Sequence, residues 1–589
     1  MKSGILAIVL TLSAMLPAIA QKEGNFKTWN PAKDSIQCLE GQAWTGKDKN
    51  VFARLPAALE NKVRKEVWNL SRHTAGLSLR FRTNASELTV RYTVQGGLQM
   101  PHMPATGVSG VDLYSKTIDG QWLWCAGRYT FGDTVTYRFV NLPPKDQHVT
   151  NREYTLYLPL YNSIKWMEIG MPSECEWKPL PVRKEKPVIV YGTSIAQGGC
   201  ASRPGLAWTN ILARKLNTPV INLGFSGNGR LEKEILDLMA ETKASAYVLD
   251  CLPNLMPPAF TSEEVKKRIE QAVRLLRKAR PGVPILLTDH DGYTDEDMNE
   301  ARRKDYTWVN QALQEMLYSL RTEGIGRLYH LSKAEIKQDI ETMVDGVHPN
   351  DLGMMRYAEA YENILRKILD MEDGGTVTTT AVTQRRDARI YDWETRHHQI
   401  LDFNKTHQPE IVLLGNSITH FWGGLPANPV NNGKEAWNKH FGNRKVVNMG
   451  FGWDRVENVL WRVHHATLDG FSAKQIVLMI GTNNLHLNTD EEIVEGLRYL
   501  IQAIQSKQPQ STVLLMGILP RRNTEERVIQ INKKIANLAS GKNIHFADAG
   551  PLFLKEDHKI DEALFTDGLH PNEAGYDRLG GFITRWLDQ

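Results

Sequence analysis

Val190-Tyr191-Gly192-Thr193-Ser194-Ile195 and Leu413-Leu414-Gly415-Asn416-Ser417-Ile418 are two copies of one pattern. In each, an apolar run ends in a glycine, and a serine follows two residues later. A continuous apolar run suits a strand buried on both faces, as in a parallel sheet. Open sheets of that kind bind ligands at the carboxyl ends of their strands, which is where both serines fall. Gly-x-Ser alone describes many ordinary turns, so the surroundings decide its meaning.

Downstream of Ser194 the pattern alternates. A helix is expected over 206–216, a strand at Val220-Ile221-Asn222-Leu223 and a helix over 231–240. Tyr247-Val248-Leu249, a helix over 263–279 and Ile285-Leu286-Leu287 continue the series. Strand–helix alternation predicts an α/β layer with a parallel sheet. Residues 370–386 are poor in apolar side chains, contain Gly374-Gly375 and Thr378-Thr379-Thr380, and read as a linker. The alternation then restarts with Ile411–Leu414, Lys445–Asn448, Gln475–Ile480 and Thr512–Met516.

Upstream of Ser194 the period is two. Leu77–Arg82 and Leu88–Val94 alternate apolar and polar, as half-buried strands do, and Val111–Tyr114 and Tyr154–Leu158 add two more short runs. Strands at this spacing predict a sandwich. Trp122, Trp124 and Tyr129 form an aromatic cluster there. It fits core and edge packing better than a sugar platform.

The far end of each α/β unit gives the serines a chemical reading. Asp345-Gly346-Val347-His348-Pro349-Asn350 is matched by Asp567-Gly568-Leu569-His570-Pro571-Asn572, and the serine-to-histidine separations are 154 and 153 residues. A serine hydroxyl needs a base, commonly an imidazole. The imidazole in turn needs a carboxylate to fix its tautomer and orientation. Two near-identical Asp-x-x-His blocks at matched distances from two strand-end serines exceed coincidence. Donors for the developing oxyanion are the remaining requirement. Unit one offers Asn222–Gly227 and Asp250–Asn254, and unit two offers Asn448–Asp454 and Ile480–Asn484.

With these blocks the chain resembles the SGNH, or GDSL, hydrolase superfamily over roughly 185–370 and 390–589. The resemblance implies Ser194, Asp345 and His348 as one triad and Ser417, Asp567 and His570 as another. It implies oxyanion donors at Gly227 and Asn254 in unit one, and at Gly452, Trp453 and Asn483 in unit two. Unit two is also similar to the catalytic subunits of platelet-activating-factor acetylhydrolases, through Asn448–Asp454, Val459–Arg462 and Gly481–Asn484. There are departures. Gly-Thr-Ser-Ile and Gly-Asn-Ser-Ile replace Gly-Asp-Ser-Leu, Trp453 stands where the family has its oxyanion glycine, and Asp250-x-x-Pro253-Asn254 replaces Gly-x-Asn-Asp.

The expected architecture is multidomain. A signal peptide (1–20) precedes an all-β sandwich (21–182), a first flavodoxin-like, three-layer α/β hydrolase domain (183–371), a linker (372–386) and a second such domain (387–589). Lys2, the apolar 5–16 stretch and Ala18-Ile19-Ala20 before Gln21 have the form of a secretory signal. A secreted or periplasmic protein without a stable membrane span after cleavage is therefore expected.

The bulk composition excludes several classes. Net charge is +4, from 71 basic and 67 acidic side chains, with no long basic run to suit nucleic acid. The cysteines, 38, 125, 175, 200 and 251, are odd in number and form no Cys-x-x-Cys pair. His397-His398 and His464-His465 are adjacent, not at ligand spacing on one helix face, so no metal site is expected. Gly224, Gly227 and Gly229 lack dinucleotide-fingerprint spacing. No cofactor is expected. The expected activity is removal of O-acetyl groups from carbohydrate by both serines. The alternatives are a lipid or aryl-ester acylhydrolase, and a glycan-binding protein with one inert unit.

Overall fold

The computed structural model describes residues 25–34, 37–42, 44, 51–145, 151–539 and 543–589. The expected signal peptide lies outside the described residues. Among those described, no helix is long and apolar enough to cross a membrane.

Two antiparallel sheets build the N-terminal part. One runs Phe26–Trp29, Ile164–Pro172, Leu88–Val94, Val135–Phe139, Gly127–Thr130. The other runs Trp177–Pro179, Ser78–Thr83, Arg152–Tyr157, Asp112–Lys116, Trp122–Cys125, with Leu39–Glu40 beside Ser78–Thr83. Their inner faces share one core that includes Leu79, Phe81, Val90, Tyr92, Leu113 and Leu156. Leu88–Val94 alternates as its sequence suggests, with Leu88, Val90 and Tyr92 inward.

Ser78–Thr83 departs from the half-buried expectation, because all six residues are buried. The second α/β unit covers its outer face. Arg80 meets Glu40, Glu153 and Glu394, while Arg82 meets Glu153 and Asp392. Buried charges persist when paired and hydrogen-bonded, so a polar face became an interior ion-pair network.

Each α/β unit has a five-stranded parallel sheet in the order 2-1-3-4-5. Unit one runs Val220–Gly224, Val188–Gly192, Ala246–Asp250, Ile285–Thr288, Leu328–Leu331. Unit two runs Val446–Gly450, Ile411–Gly415, Gln475–Met479, Thr512–Met516, Ile544–Ala547. Every one of these strands is flanked by helices whose apolar faces form a separate core on each side of the sheet. This is the three-layer arrangement expected. The first strand of each unit sits where the connections diverge to either side, and that switch point is where such sheets hold ligands.

The stretch between the units is packed rather than solvated. Thr378, Thr379, Gln384, Arg386 and Asp387 are buried. The Thr378 hydroxyl donates to the Glu492 carbonyl at 2.6 Å, and Arg386 reaches back to Asp119 of the sandwich. All five cysteines are unpaired thiols. The histidine pairs are interior groups: burial lowers His397 and His464 to about 3 and His465 to about 4. His465 also meets the Leu216 carbonyl of unit one at 3.1 Å.

Candidate active sites

Both serines begin a one-turn helix straight after the first strand of their sheet. Such a helix has unsatisfied N–H groups at its start. The residue before each serine caps it: the Thr193 hydroxyl accepts from Ile195 N at 3.3 Å, and Asn416 Oδ1 accepts from Ile418 N at 2.9 Å. Thr and Asn both cap helices well, which explains how this position varies without moving the serine. Asn222 and Asn448 brace the same helices from the next strand. Their amides donate to Ala196 O at 2.7 Å and Thr419 O at 2.8 Å.

The histidines arrive from loops more than 150 residues away in sequence. Ser194 Oγ lies 2.9 Å from His348 Nε2, and Ser417 Oγ lies 2.9 Å from His570 Nε2. The other ring nitrogens face carboxylates: His348 Nδ1 is 2.8 Å from Asp345 Oδ2, and His570 Nδ1 is 2.7 Å from Asp567 Oδ2. Each Asp uses its second oxygen on its own loop. Asp345 Oδ1 accepts from Val347 N at 3.1 Å and His348 N at 2.8 Å; Asp567 Oδ1 accepts from Leu569 N at 2.9 Å and His570 N at 2.8 Å. Burial would raise both carboxyls, but these N–H donors and the imidazoles outweigh it and lower them. Both Asp residues therefore stay ionised near neutrality and hold Nδ1 as the protonated nitrogen.

The glycine-rich turns behind the serines also correspond. Asn228 N donates to Phe225 O at 2.8 Å, and Asp454 N donates to Phe451 O at 3.2 Å. The third residue of such a turn has positive φ, which favours glycine. Gly227 has φ +69° and Trp453 has φ +62°. Trp453 thus takes the glycine's backbone conformation, and its side chain is 41 % exposed.

Gly452, expected among the oxyanion donors, has its N–H engaged by His420 Nδ1 at 3.1 Å. Ser226 N is engaged likewise by Gln197 Oε1 at 3.0 Å. In both units the residue three past the serine holds the turn, and the next N–H along belongs to Gly227 or Trp453. Burial, then Arg396 and Arg462, depress His420 far below the usual histidine range, keeping its Nδ1 an acceptor.

Unit two secures its turn from the connecting stretch. Gln384 and the Tyr391 hydroxyl both donate to Gly452 O at 2.9 Å, and Arg386 donates to Trp453 O at 2.9 Å. A trans peptide directs its C=O and the following N–H oppositely. Fixing the Gly452 carbonyl therefore fixes the Trp453 N–H away from Gln384 and Tyr391. The asparagines are oriented too. Asn254 Oδ1 accepts from Gly229 N at 3.0 Å, and Asn483 Nδ2 donates to Asp454 O at 2.9 Å.

The sandwich supports the first site. The Tyr161 hydroxyl donates to Ser194 O at 3.2 Å. Asp112 Oδ2 accepts from Gly205 N at 3.0 Å and pairs with Arg203, which also donates to the Tyr114 hydroxyl at 2.7 Å. Trp122 docks through its Nε1 on Arg214 O at 3.2 Å, whereas Trp124 and Tyr129 are 53 % and 55 % exposed. Gln197, His420, Tyr161 and the Gln384–Tyr391 clamp escaped sequence reading, since only the second copy's matching offset from serine marks even Gln197 and His420.

Comparison with known proteins places each of the three regions in a family. Residues 185–366 and 413–578 each match a GDSL-like lipase/acylhydrolase model, and residues 26–176 match the N-terminal region of SGNH-hydrolase-type esterases. A Bacteroides ovatus structure described as a GDSL-like lipase is 32 % identical, with TM-score 0.54, and covers 59 % of this chain and 99 % of its own.

The chain belongs to the GDSL-like lipase/acylhydrolase family.

The alpha1 subunit of platelet-activating factor acetylhydrolase IB is similar as well. The bovine protein is 30 % identical over 189 residues, 31 % of this chain and 77 % of its own length, and the human one is 31 % identical over 189 residues, 31 % of this chain and 78 % of its own. As a GDSL-like protein with two hydrolase units, the chain is an ester hydrolase. The Asp112–Tyr114 stretch, legible beforehand only as a strand, is part of the seam joining the N-terminal region to the first unit.

Proposed function

We propose that this GDSL-like hydrolase is an exported serine esterase that removes O-acetyl and other short acyl groups from carbohydrate, with both sites working. The observation that carries the reading is the pair of Ser–His–Asp relays of matching geometry, 2.9 and 2.8 Å in one unit and 2.9 and 2.7 Å in the other.

In each site the serine Oγ attacks the ester carbonyl while its proton passes to histidine Nε2. The imidazolium is stabilised through Nδ1–H by the ionised Asp. The carbonyl oxygen, now anionic, takes the N–H of Gly227 or Trp453 and the amide of Asn254 or Asn483. Nε2 then returns the proton to the departing alcohol, leaving an acyl-serine. Water enters and attacks the acyl carbon, giving a proton to the same Nε2, which then passes it to the departing Ser Oγ as the acid is released. No step calls for a cofactor.

A carbohydrate substrate is supported by the signal-like N-terminus and by exposed Trp124 and Tyr129, since aromatic faces suit sugar rings. The acetylhydrolase relatives favour a second reading, a lipid or aryl-ester acylhydrolase. Trp453 in the oxyanion turn favours a third, in which unit two is inert and the sandwich binds glycan.

Acetate release from acetylated xylan and pectin, beside p-nitrophenyl acetate and octanoate, separates the three. Activity that falls in Ser194→Ala and in Ser417→Ala and vanishes in the double variant is expected. Hydrolysis confined to octanoate would favour the lipid reading. Full activity in the double variant would overturn the assignment of both serines.

A further inference from the structure

Cys200 is a buried thiol that the acyl-transfer chemistry does not use. It sits at φ +71°, a backbone region that side chains other than glycine rarely occupy, on the loop following the Ser194 helix. Adjacent Gly199 packs so closely on the His348 ring that a Cβ there would lie 3.3 Å from its Cδ2. From the sandwich, His102 brings its ring centroid to 5.8 Å from that of His348. The sandwich loop is fastened there: the Thr106 hydroxyl donates to Ser202 O at 2.7 Å, and Gly107 backs directly onto the Ala201 carbonyl. One donor atom each of His102, Cys200 and His348 lie within 4.8 Å of one another.

We propose that the first site binds a soft divalent cation of the zinc type through His102, Cys200 and His348 Nε2, and that the bound cation switches that site off. Two imidazoles and one thiolate match the ligand preference of zinc, with a fourth tetrahedral position left for water. The three ligands come from three segments, and exposed His102 gives the cation a way in. His348 is already prepared as a ligand. Its Nδ1 is held by Asp345 at 2.8 Å, the outer-shell carboxylate that fixes a metal-binding imidazole.

The Nε2 lone pair that would face the cation is the one lying 2.9 Å from Ser194 Oγ. Cation and serine therefore compete for one acceptor. Burial, then the charge of Asp345, pushes the Cys200 thiol up to about 12, so the entering cation displaces the thiol proton to solvent. Among the described residues unit two has no counterpart. A phenylalanine, Phe421, lies tilted beside His570 with centroids 5.4 Å apart, and no cysteine occurs after Cys251.

Only the inhibition rests on the esterase reading; the binding stands apart from it, and two measurements keep them distinct. In the Ser417→Ala chain, where the first site alone works, micromolar buffered Zn2+ should suppress p-nitrophenyl acetate hydrolysis and a chelator should restore it. The Ser194→Ala chain should need at least about 10-fold more Zn2+ for the same loss. Adding His102→Ala or Cys200→Ser to the Ser417→Ala chain should raise the half-inhibitory concentration by about 10-fold or more, each rate being scaled to the same variant without metal; loss of one supporting group commonly weakens a site that much.

Separately, Co2+ added to the Ser194→Ala chain should produce a near-ultraviolet thiolate-to-metal band that Cys200→Ser abolishes. That readout needs no turnover. Absence of the band would overturn the site. A band accompanied by equal Zn2+ sensitivity of the two units, or by inhibition indifferent to His102 and Cys200, would overturn the switch.

Discussion

Replacing Asp345 separates the charge of the carboxylate from its hydrogen-bond polarity. Ala removes a charge-assisted bond to the imidazolium, worth about 1.5–3 kcal/mol, so kcat/KM should fall on the order of 10- to 150-fold. Asn retains the shape but faces a conflict specific to this loop. The N–H groups of Val347 and His348 require an acceptor at the Oδ1 position, at 3.1 and 2.8 Å. If the Asn oxygen stays there, its NH2 faces His348 Nδ1. The ring then protonates at Nε2 and cannot accept the serine proton. If the amide flips, Nδ1–H regains an acceptor, but the NH2 confronts two N–H donors at about 1–3 kcal/mol each.

Either arrangement should leave Asn less active than Ala, by about 10-fold or more. The assay is kcat/KM on p-nitrophenyl acetate in the Ser417→Ala background. The mirror experiment uses Asp567 with Ser194→Ala, where the backbone donors stand at 2.9 and 2.8 Å. An Asn variant as active as Ala, or both within about twofold of the parent, would refute the reasoning.

Gly450→Ala should inactivate unit two and spare unit one, because a methyl there overlaps the backbone N of His420 and displaces the Ser417 helix; activity in the Ser194→Ala and Ser417→Ala backgrounds tells the two apart. Trp453→Gly should relieve about 1 kcal/mol of left-handed strain and widen the second site, so the octanoate-to-acetate rate ratio should rise in the Ser194→Ala background; an unchanged ratio would show that the indole does not border the acyl group. Arg80→Met should destabilise the fold by about 3 kcal/mol, the low end for a broken buried pair, since Glu40 keeps Arg183 and Glu153 keeps Arg82.

The parent network has a matching pH signature. Burial would raise Glu40, but Arg183 and Arg80 bring it from its ordinary 4.5 to about 2. A depressed carboxyl stabilises fully above its unfolded pKa, so this contribution of about 3 kcal/mol is present above about 4.5 and lost as pH falls toward 2. Calorimetric unfolding across that window should show the loss in the parent and a smaller one in Arg80→Met.

The sequence by itself determined the two α/β units, their repeat and the two sets of residues that the fold brings together, Ser194, Asp345 and His348, and Ser417, Asp567 and His570. Those features are local. A buried parallel strand must be continuously apolar, a strand-end serine keeps a fixed offset from it, and Asp and His meet within one loop of four residues. Tertiary structure decided what depends on which surfaces meet. It turned the polar face of Ser78–Thr83 into a buried ion-pair layer and the glycine- and threonine-rich connection into a clamp on the turn at Gly452 and Trp453. It also gave the Gly452 N–H to His420 and brought His102 against His348. No periodicity encodes these, because hydrogen bonds and ion pairs between distant segments are fixed by how the completed layers pack.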